Sequence, residues 1–252
     1  MSENRLARLE YYYAKTFANA VKILKSVLFR DAVFRVTREG IIAKGLSLDS
    51  TQYIEVFMPR DYFNTYDLLS DSVEFSIDLD ELQRALKGLR RDEKVTITVY
   101  DNAVWFSIGN ASYAFYDTKP SKSQPHDIEI SVKHSVKATV DTEMLHRIAK
   151  FVSESFSTYY EQALEIESKK DQQYITIRAK NAEFKMIVTD LSMSEEDTVV
   201  SYYNAEKLAE FTENIRRLSR TAILMYARES PLELLVDDRN IKVRYLQAPM
   251  II

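Results

Sequence analysis

Apolar residues recur every three or four positions in four stretches of the chain and every second position in most others. This predicts four helices set among many short strands. Phe17, Val21, Leu24 and Leu28 share one face of a helix over Thr16–Leu28, and Leu82, Leu86 and Leu89 share one over Asp78–Arg91. A third runs over Asp141–Ser155 on Leu145, Ile148, Ala149 and Val152, and a fourth over Asn204–Ser219 on Leu208, Phe211, Ile215 and Leu218. Each opens on a side chain able to accept from the free amides of a first turn: Thr16, Asp78, Asp141 and Asn204. Glu81, three residues after Asp78, completes a variant of the capping box.

Strand patterns follow each helix. They cover Val33–Val36, Ile41–Leu46 and Tyr53–Met58 after the first, and Val95–Val99, Ala103–Ile108 and Ala111–Tyr116 after the second, which Val73–Ile77 precedes. Ser135–Val140 leads into the third helix, followed by Ala163–Ile166, Tyr174–Ala179 and Glu183–Val188. Thr198–Tyr203 leads into the fourth, followed by Thr221–Tyr226, Leu232–Val236 and Ile241–Leu246. Asp101-Asn102, Lys180-Asn181 and Asp237-Asp238 supply turns. The plan is strand, helix, three strands, four times over. The third helix opens 125 residues after the first and the fourth 126 after the second, which reads as two domains of one design, each of two similar units. So many strands with so few helices imply an α+β fold.

The joint is visible as 118–130, TKPSKSQPHDIEI, whose prolines, serines and few apolar residues predict an extended linker. The boundaries are thus 1–117, 118–131 and 132–252. A second polar stretch, Leu191–Asp197, reads as a solvated acidic loop.

Composition narrows the chemistry. Hydrophobic residues make up 46% and charged ones 29% of 252, enough for a buried core with a solvated surface. No apolar run is long enough to span a bilayer, and Met1–Leu9 lacks the apolar stretch of a secretory signal, so neither a membrane span nor a signal is expected. There is no cysteine, which excludes disulfides, thiolate metal sites and thiol catalysis. The four glycines, at 40, 45, 88 and 109, form no phosphate-binding loop. His126, His134 and His146 show no HExxH or His-x-His spacing, and there is no GxSxG elbow, so no catalytic residue, metal or cofactor is expected. The net charge of −4 means that any nucleic-acid surface must gather its cations on one face. Abundant Lys and Glu, no Cys and few Gly point to a heat-adapted organism.

With these elements in place, local stretches resemble the sliding clamps of archaea and eukaryotes, the proliferating cell nuclear antigen (PCNA) family. They are FRVTREGIIAKGL, PRDYFNTY, DLDELQRALKGL and the C-terminal SPLELLVDDRNIKVRYLQAPMI, in the family's order over nearly the whole chain. The turn Ser47-Leu48-Asp49-Ser50 and the tripeptide Gln247-Ala248-Pro249 depart from the family's usual residues. The resemblance implies the DNA clamp fold, with helices on the concave inner face of a ring and sheets outside. It implies no enzyme but a DNA polymerase processivity factor, in a homotrimer or with sister subunits in a heterotrimer, serving DNA replication and repair. Duplex DNA, bound without regard to sequence, would be one partner. A clamp loader, DNA polymerase, flap endonuclease and DNA ligase, the client enzymes through PIP-type peptides, would be the others. The setting implied is an archaeal cytoplasm, at the nucleoid.

Carried to this chain, the resemblance implies three sites. The helix faces opposite the apolar stripes would meet DNA through Lys15, Lys22, Lys25, Arg84, Lys87 and Arg91 in the first domain, and Arg147, Lys150 and Arg217 in the second. Glu143, Glu154, Glu206, Glu210 and Glu213 make the second domain's face mixed. The partner-peptide pocket would be Leu46, Tyr53, Pro125, Ile128, Pro231, Leu246, Ala248 and Pro249. The subunit seam would pair Ser112–Tyr116 with Tyr174–Ala179 of the next subunit, through Tyr113, Phe115, Ile175 and Ile177. The alternatives are a protein–protein scaffold that never meets DNA and a metal-dependent DNA-processing enzyme on a similar two-domain fold.

Overall fold

The computed structural model describes residues 4–90, 93–120, 128–194 and 196–252. The chain divides into two compact units: 1–50, 54–128 and 239–242 in the first, and 51–53, 129–238 and 243–252 in the second.

The first unit contains β1 (Arg5–Tyr11), α1 (Ala14–Lys25), β2 (Asp31–Val36), β3 (Gly40–Leu46) and most of β4 (Gln52–Pro59). A 3-10 turn at Arg60–Tyr62 leads to β5 (Phe63–Leu68), then β6 (Val73–Asp78), α2 (Leu79–Ala85), β7 (Val95–Tyr100), β8 (Ala103–Ile108) and β9 (Ala111–Tyr116). One sheet runs β5-β1-β7-β8-β9, and β4-β3-β2-β6 lie side by side in another. Gly40 lets the β2–β3 turn approach β4: a Cβ there would fall 2.2 Å from the Met58 carbonyl oxygen, at a φ of +155°.

The second unit repeats the order: β10 (Val136–Asp141), α3 (Thr142–Ser155), β11 (Ala163–Lys169), β12 (Tyr174–Ala179), β13 (Ala182–Ile187), β14 (Thr189–Met193), β15 (Thr198–Asn204), α4 (Ala205–Ile215), β16 (Thr221–Tyr226), β17 (Leu232–Asp238) and β18 (Ile241–Gln247). Its strands run β13-β12-β11-β15 and β14-β10-β16-β17-β18. The strand–helix–three-strand plan recurs four times, with one further strand, β5 or β14, between the two repeats of each unit.

Three strands were not expected. β1 alternates Ala7, Leu9 and Tyr11 into the core within a charged segment. β5 and β14 are mostly polar and occupy equivalent places, each antiparallel to the first strand of its unit. Part of the stretch read as an acidic loop is thus strand β14. The turn expected at Asp237-Asp238 falls on Arg239-Asn240, because β17 runs on through Asp238.

The apolar stripes hold. Phe17, Val21 and Leu24 of α1, Leu82 of α2, Leu145, Ile148 and Val152 of α3, and Leu208, Phe211 and Ile215 of α4 are buried. Asp78, Asp141 and Asn204 cap α2, α3 and α4, accepting from Asp80 and Glu81, from Met144, and from Lys207 respectively. Thr16 does not cap α1. That helix begins two residues earlier at Ala14, whose amide donates to the Glu93 carbonyl at 3.1 Å, and its N-cap Tyr13 makes no side-chain bond.

The same backbone exchange recurs at every helix. Leu79 N donates to Arg30 O at 2.8 Å, Thr142 N to Arg220 O at 3.0 Å, and Ala205 N to Gln162 O at 2.9 Å. In each unit the segment after one helix supplies an acceptor for the free first amide of the other. A helix start leaves such donors unpaired, and a buried one is costly. The exchange therefore fixes α1 beside α2 and α3 beside α4.

Candidate nucleic-acid and partner interfaces

In the first unit Lys15, Arg84 and Lys87 are exposed and Lys22 is half-buried; none of the four makes an ion pair among the described residues. Lys25 differs from expectation. Its ammonium meets the carboxylate of Asp80 and lies 3.1 Å from the Gln83 side-chain oxygen, so it ties α1 to α2 and its charge is matched locally. Arg91 lies outside the described residues. At the start of α2, burial pushes the Asp78 carboxyl up. The amides of Glu81 and Asp80 and the Arg30 guanidinium outweigh that and hold it below the ordinary carboxylate value.

In the second unit every cation expected to face DNA has a carboxylate partner. Arg147 Nε is 2.9 Å from Glu143, Lys150 Nζ is 3.6 Å from Glu154, and Arg217 meets Glu213. Arg216 joins the two helices, 2.9 Å from Glu143 of α3 and 2.8 Å from Glu213 of α4. His146, expected only as an ordinary helix residue, is buried at this joint with Nε2 2.9 Å from Glu213.

The sheet edges correct one expectation. β12 lies between β11 and β13 and is paired along both sides. Ile175 and Ile177 point into the core and are fully buried. Its outward Arg178 is held by Glu165 at 2.7 Å, Glu167 at 3.2 Å and Glu183 at 2.9 Å. Neither Ile175 nor Ile177 can form a subunit seam. The edges of that sheet are β13 and β15; β13 is paired only to β12 among the described residues. Its Ile187 is 80% exposed, and its Phe184 meets Phe151 of α3 edge-on at 5.6 Å. In the first unit β9 is an edge strand as expected, paired only to β8. Tyr113 and Tyr116 are exposed there, whereas Phe115 leans inward onto Phe106 at 5.6 Å.

The residues expected to form the peptide pocket fare unevenly. Tyr53 and Leu246 are 2% and 3% exposed, so both are core residues, and a peptide bound to the surface cannot use them. Pro231, Ala248 and Pro249 of the second unit are half-buried and reachable, as are Leu46 and Ile128 of the first. Pro125 lies outside the described residues. Pro249 lines a groove of about 770 Å³ within the second unit, with Val200, Tyr202, Met250, Ile251 and Ile252 beside it. The Met250 amide donates to the Tyr202 carbonyl at 2.8 Å, which lays the C-terminal segment along β15.

No protein-family model matches the chain. Among curated proteins, it is 26% identical to DNA polymerase sliding clamp 3 of Aeropyrum pernix over 93 residues, 37% of either chain. It is 23% identical to the DNA polymerase sliding clamp of Methanococcus maripaludis over 227 residues, covering 87% of this chain and 86% of the relative. Among solved structures, the PCNA of A. fulgidus bound to the C-terminal region of FEN-1 superposes with a TM-score of 0.84 at 15% identity, over 98% of this chain and 99% of that one. A chain of the PCNA2–PCNA3 complex of Sulfolobus tokodaii superposes with a TM-score of 0.78 at 16% identity, over 96% and 98%. The fold is that of a PCNA-type sliding clamp.

The backbone is also anchored at either end of the stretch read as a linker. The Thr118 carbonyl accepts from the Ser76 amide at 2.7 Å in the first unit. In the second, Arg244 donates to the Ile130 carbonyl at 2.9 Å and to buried Glu233 at 2.7 Å, and His134 Nε2 lies 2.6 Å from the other Glu233 oxygen. Burial pushes the Glu233 carboxyl up, but His134 and Arg244 outweigh it and hold it below its ordinary value. The Arg244 fork suits this double duty because it presents several donors in fixed directions. Among the described residues no three carboxylate or imidazole groups converge as a metal cage, and no helix is long and apolar enough to cross a membrane.

Proposed function

We propose that the chain is a DNA polymerase processivity factor, a ring-forming sliding clamp that encircles duplex DNA and tethers replication and repair enzymes. The observation that carries this reading is the clamp fold over 98% of the chain, combined with the edge strands β9 and β13, each paired along one side only among the described residues. An unpaired edge invites another strand. A head-to-tail contact between different edges closes into a ring when the rotation allows. In this reading β9 of one subunit pairs with β13, not β12, of the next, and Tyr113 and Tyr116 meet Phe184 and Ile187.

The domains proposed are 1–117 and 132–252, joined by 118–131. The cationic face of α1 and α2 meets phosphates through Lys15, Lys22, Arg84 and Lys87, an attraction that ignores sequence and so permits sliding. Client peptides of the PIP type dock on the second unit at Pro231, Ala248 and Pro249. A clamp loader, polymerase, flap endonuclease and ligase are the partners in this reading; the FEN-1 region bound to the A. fulgidus clamp is the model for such a client. The setting proposed is an archaeal cytoplasm. No side chain is given a catalytic role.

Native mass spectrometry tests the ring. A species of three subunits, formed by the 29.3 kDa chain alone or with sister clamp subunits, supports the reading. A persistent monomer in every such mixture contradicts it.

A further inference from the structure

The two helix pairs are packed alike but charged differently. Segments 14–25 and 79–90 hold six cations (Lys15, Lys22, Lys25, Arg84, Lys87, Arg90) against Asp80 and Glu81. Segments 142–155 and 205–217 hold five cations (Arg147, Lys150, Lys207, Arg216, Arg217) against five glutamates, at 143, 154, 206, 210 and 213. The first pair is therefore net positive by four and the second is neutral.

Geometry sharpens the contrast. Lys15, Arg84 and Lys87 are exposed and Lys22 is half-buried, and none of the four has an ion-pair partner among the described residues. On α3 and α4, Glu143 sits 2.9 Å from both Arg147 and Arg216, and Glu213 gathers Arg216, Arg217 and His146.

We infer that, in the proposed clamp, duplex DNA is held by the α1–α2 pair alone, and that the α3–α4 pair is an electrostatically closed surface that passes the duplex without gripping it. The inference rests on the clamp reading and adds which half of each subunit does the holding.

The physical reason is an exchange that gains nothing. An exposed ion pair is itself worth only about 0–1 kcal/mol, so a phosphate could pull Arg147 or Lys150 away. The abandoned Glu143 or Glu154 would then face the same phosphate without a counter-charge. Binding gains from counterion release only where the protein brings net positive charge to the phosphates. α1 and α2 bring it, and α3 and α4 do not.

The test compares two charge-edited proteins, each assembled as the wild type assembles. One is Lys22→Gln/Lys87→Gln. The other is Glu143→Gln/Arg147→Gln/Lys150→Gln/Glu154→Gln, which deletes two cations and two anions and leaves net charge unchanged. The readout is affinity for a linear duplex by fluorescence anisotropy between 50 and 200 mM KCl. Each phosphate contact removed lowers the slope of log affinity against log salt by about 0.9. We expect the first variant to lose about two units of slope, an affinity loss of roughly tenfold more at low salt than at high, and the second to keep the wild-type slope. An equal loss in both variants overturns the inference and leaves the clamp reading standing. A wild type whose duplex affinity does not depend on salt overturns the clamp reading and the inference together.

Discussion

His146 Nε2 on α3 lies 2.9 Å from a carboxylate oxygen of Glu213 on α4, and its other ring nitrogen lies 3.2 Å from the Thr212 hydroxyl. Burial lowers the imidazole pKa; Glu213 and Glu143 pull it up, Arg216 pulls it down, and the balance stays below the ordinary value. The unfolded chain therefore takes up this proton first. The stability that His146 contributes is full above its unfolded pKa of about 6.5 and drains as pH falls toward the lower folded value. The melting temperature should drop between pH 7.5 and 5.5, and His146→Gln should flatten that drop. Parallel pH profiles for the two proteins would contradict the assignment.

Helix capping gives a second prediction. Asp141→Ala and Asn204→Ala remove side chains that accept from Met144 and Lys207 amides. Each should cost about 1 kcal/mol in urea denaturation. Thr16→Ala should cost far less, because α1 starts at Ala14 on the Glu93 carbonyl. A Thr16 effect as large as the other two would mean that the helix starts where the sequence pattern alone places it.

The linker anchor is testable by proteolysis. Glu233 holds both Arg244 and His134, and Arg244 in turn holds the Ile130 carbonyl. Removing one partner of a buried ion pair is costly, about 3 kcal/mol. Glu233→Gln keeps the shape and weakens the charge-assisted bonds, so cleavage within 118–131 should quicken several-fold under limiting trypsin. Unchanged cleavage would show that Ile130 is held by other means.

Edge strands are distinguished from core strands by a matched pair of substitutions. Ile187 on β13 is 80% exposed and Ile177 on β12 is fully buried. Ile187→Asp should melt as the wild type does and fail to assemble. Ile177→Asp places a charge in the core and should cost about 4–5 kcal/mol or more, enough to unfold the second unit. Normal assembly of Ile187→Asp would remove β13 from the seam.

Much of this architecture is legible in residue order. Leu145, Ile148 and Val152, or Leu208, Phe211 and Ile215, mark a buried helix face because burial selects for a period of 3.6. The repeat of that pattern carries the two-unit plan. What period cannot carry is which strand neighbours which. Ile175 and Ile177 alternate as an edge strand's inward residues would, and only the pairing of β12 to both β11 and β13 shows that it is interior. Long-range charge matching is equally hidden. Lys25 looks like Lys22 along the helix, yet Asp80, far away in sequence, answers only Lys25. β5 and β14 escaped because strands backed by a partner on one side tolerate polar residues.

The most direct measurement is topological. The protein is loaded onto a nicked circular plasmid with an archaeal clamp loader, freed of unbound protein by gel filtration, and the plasmid is then cut once. A ring threaded by the duplex stays with the circle and leaves the linear product within minutes. Protein that remains equally bound to circle and line, or never co-elutes with either, would contradict encirclement.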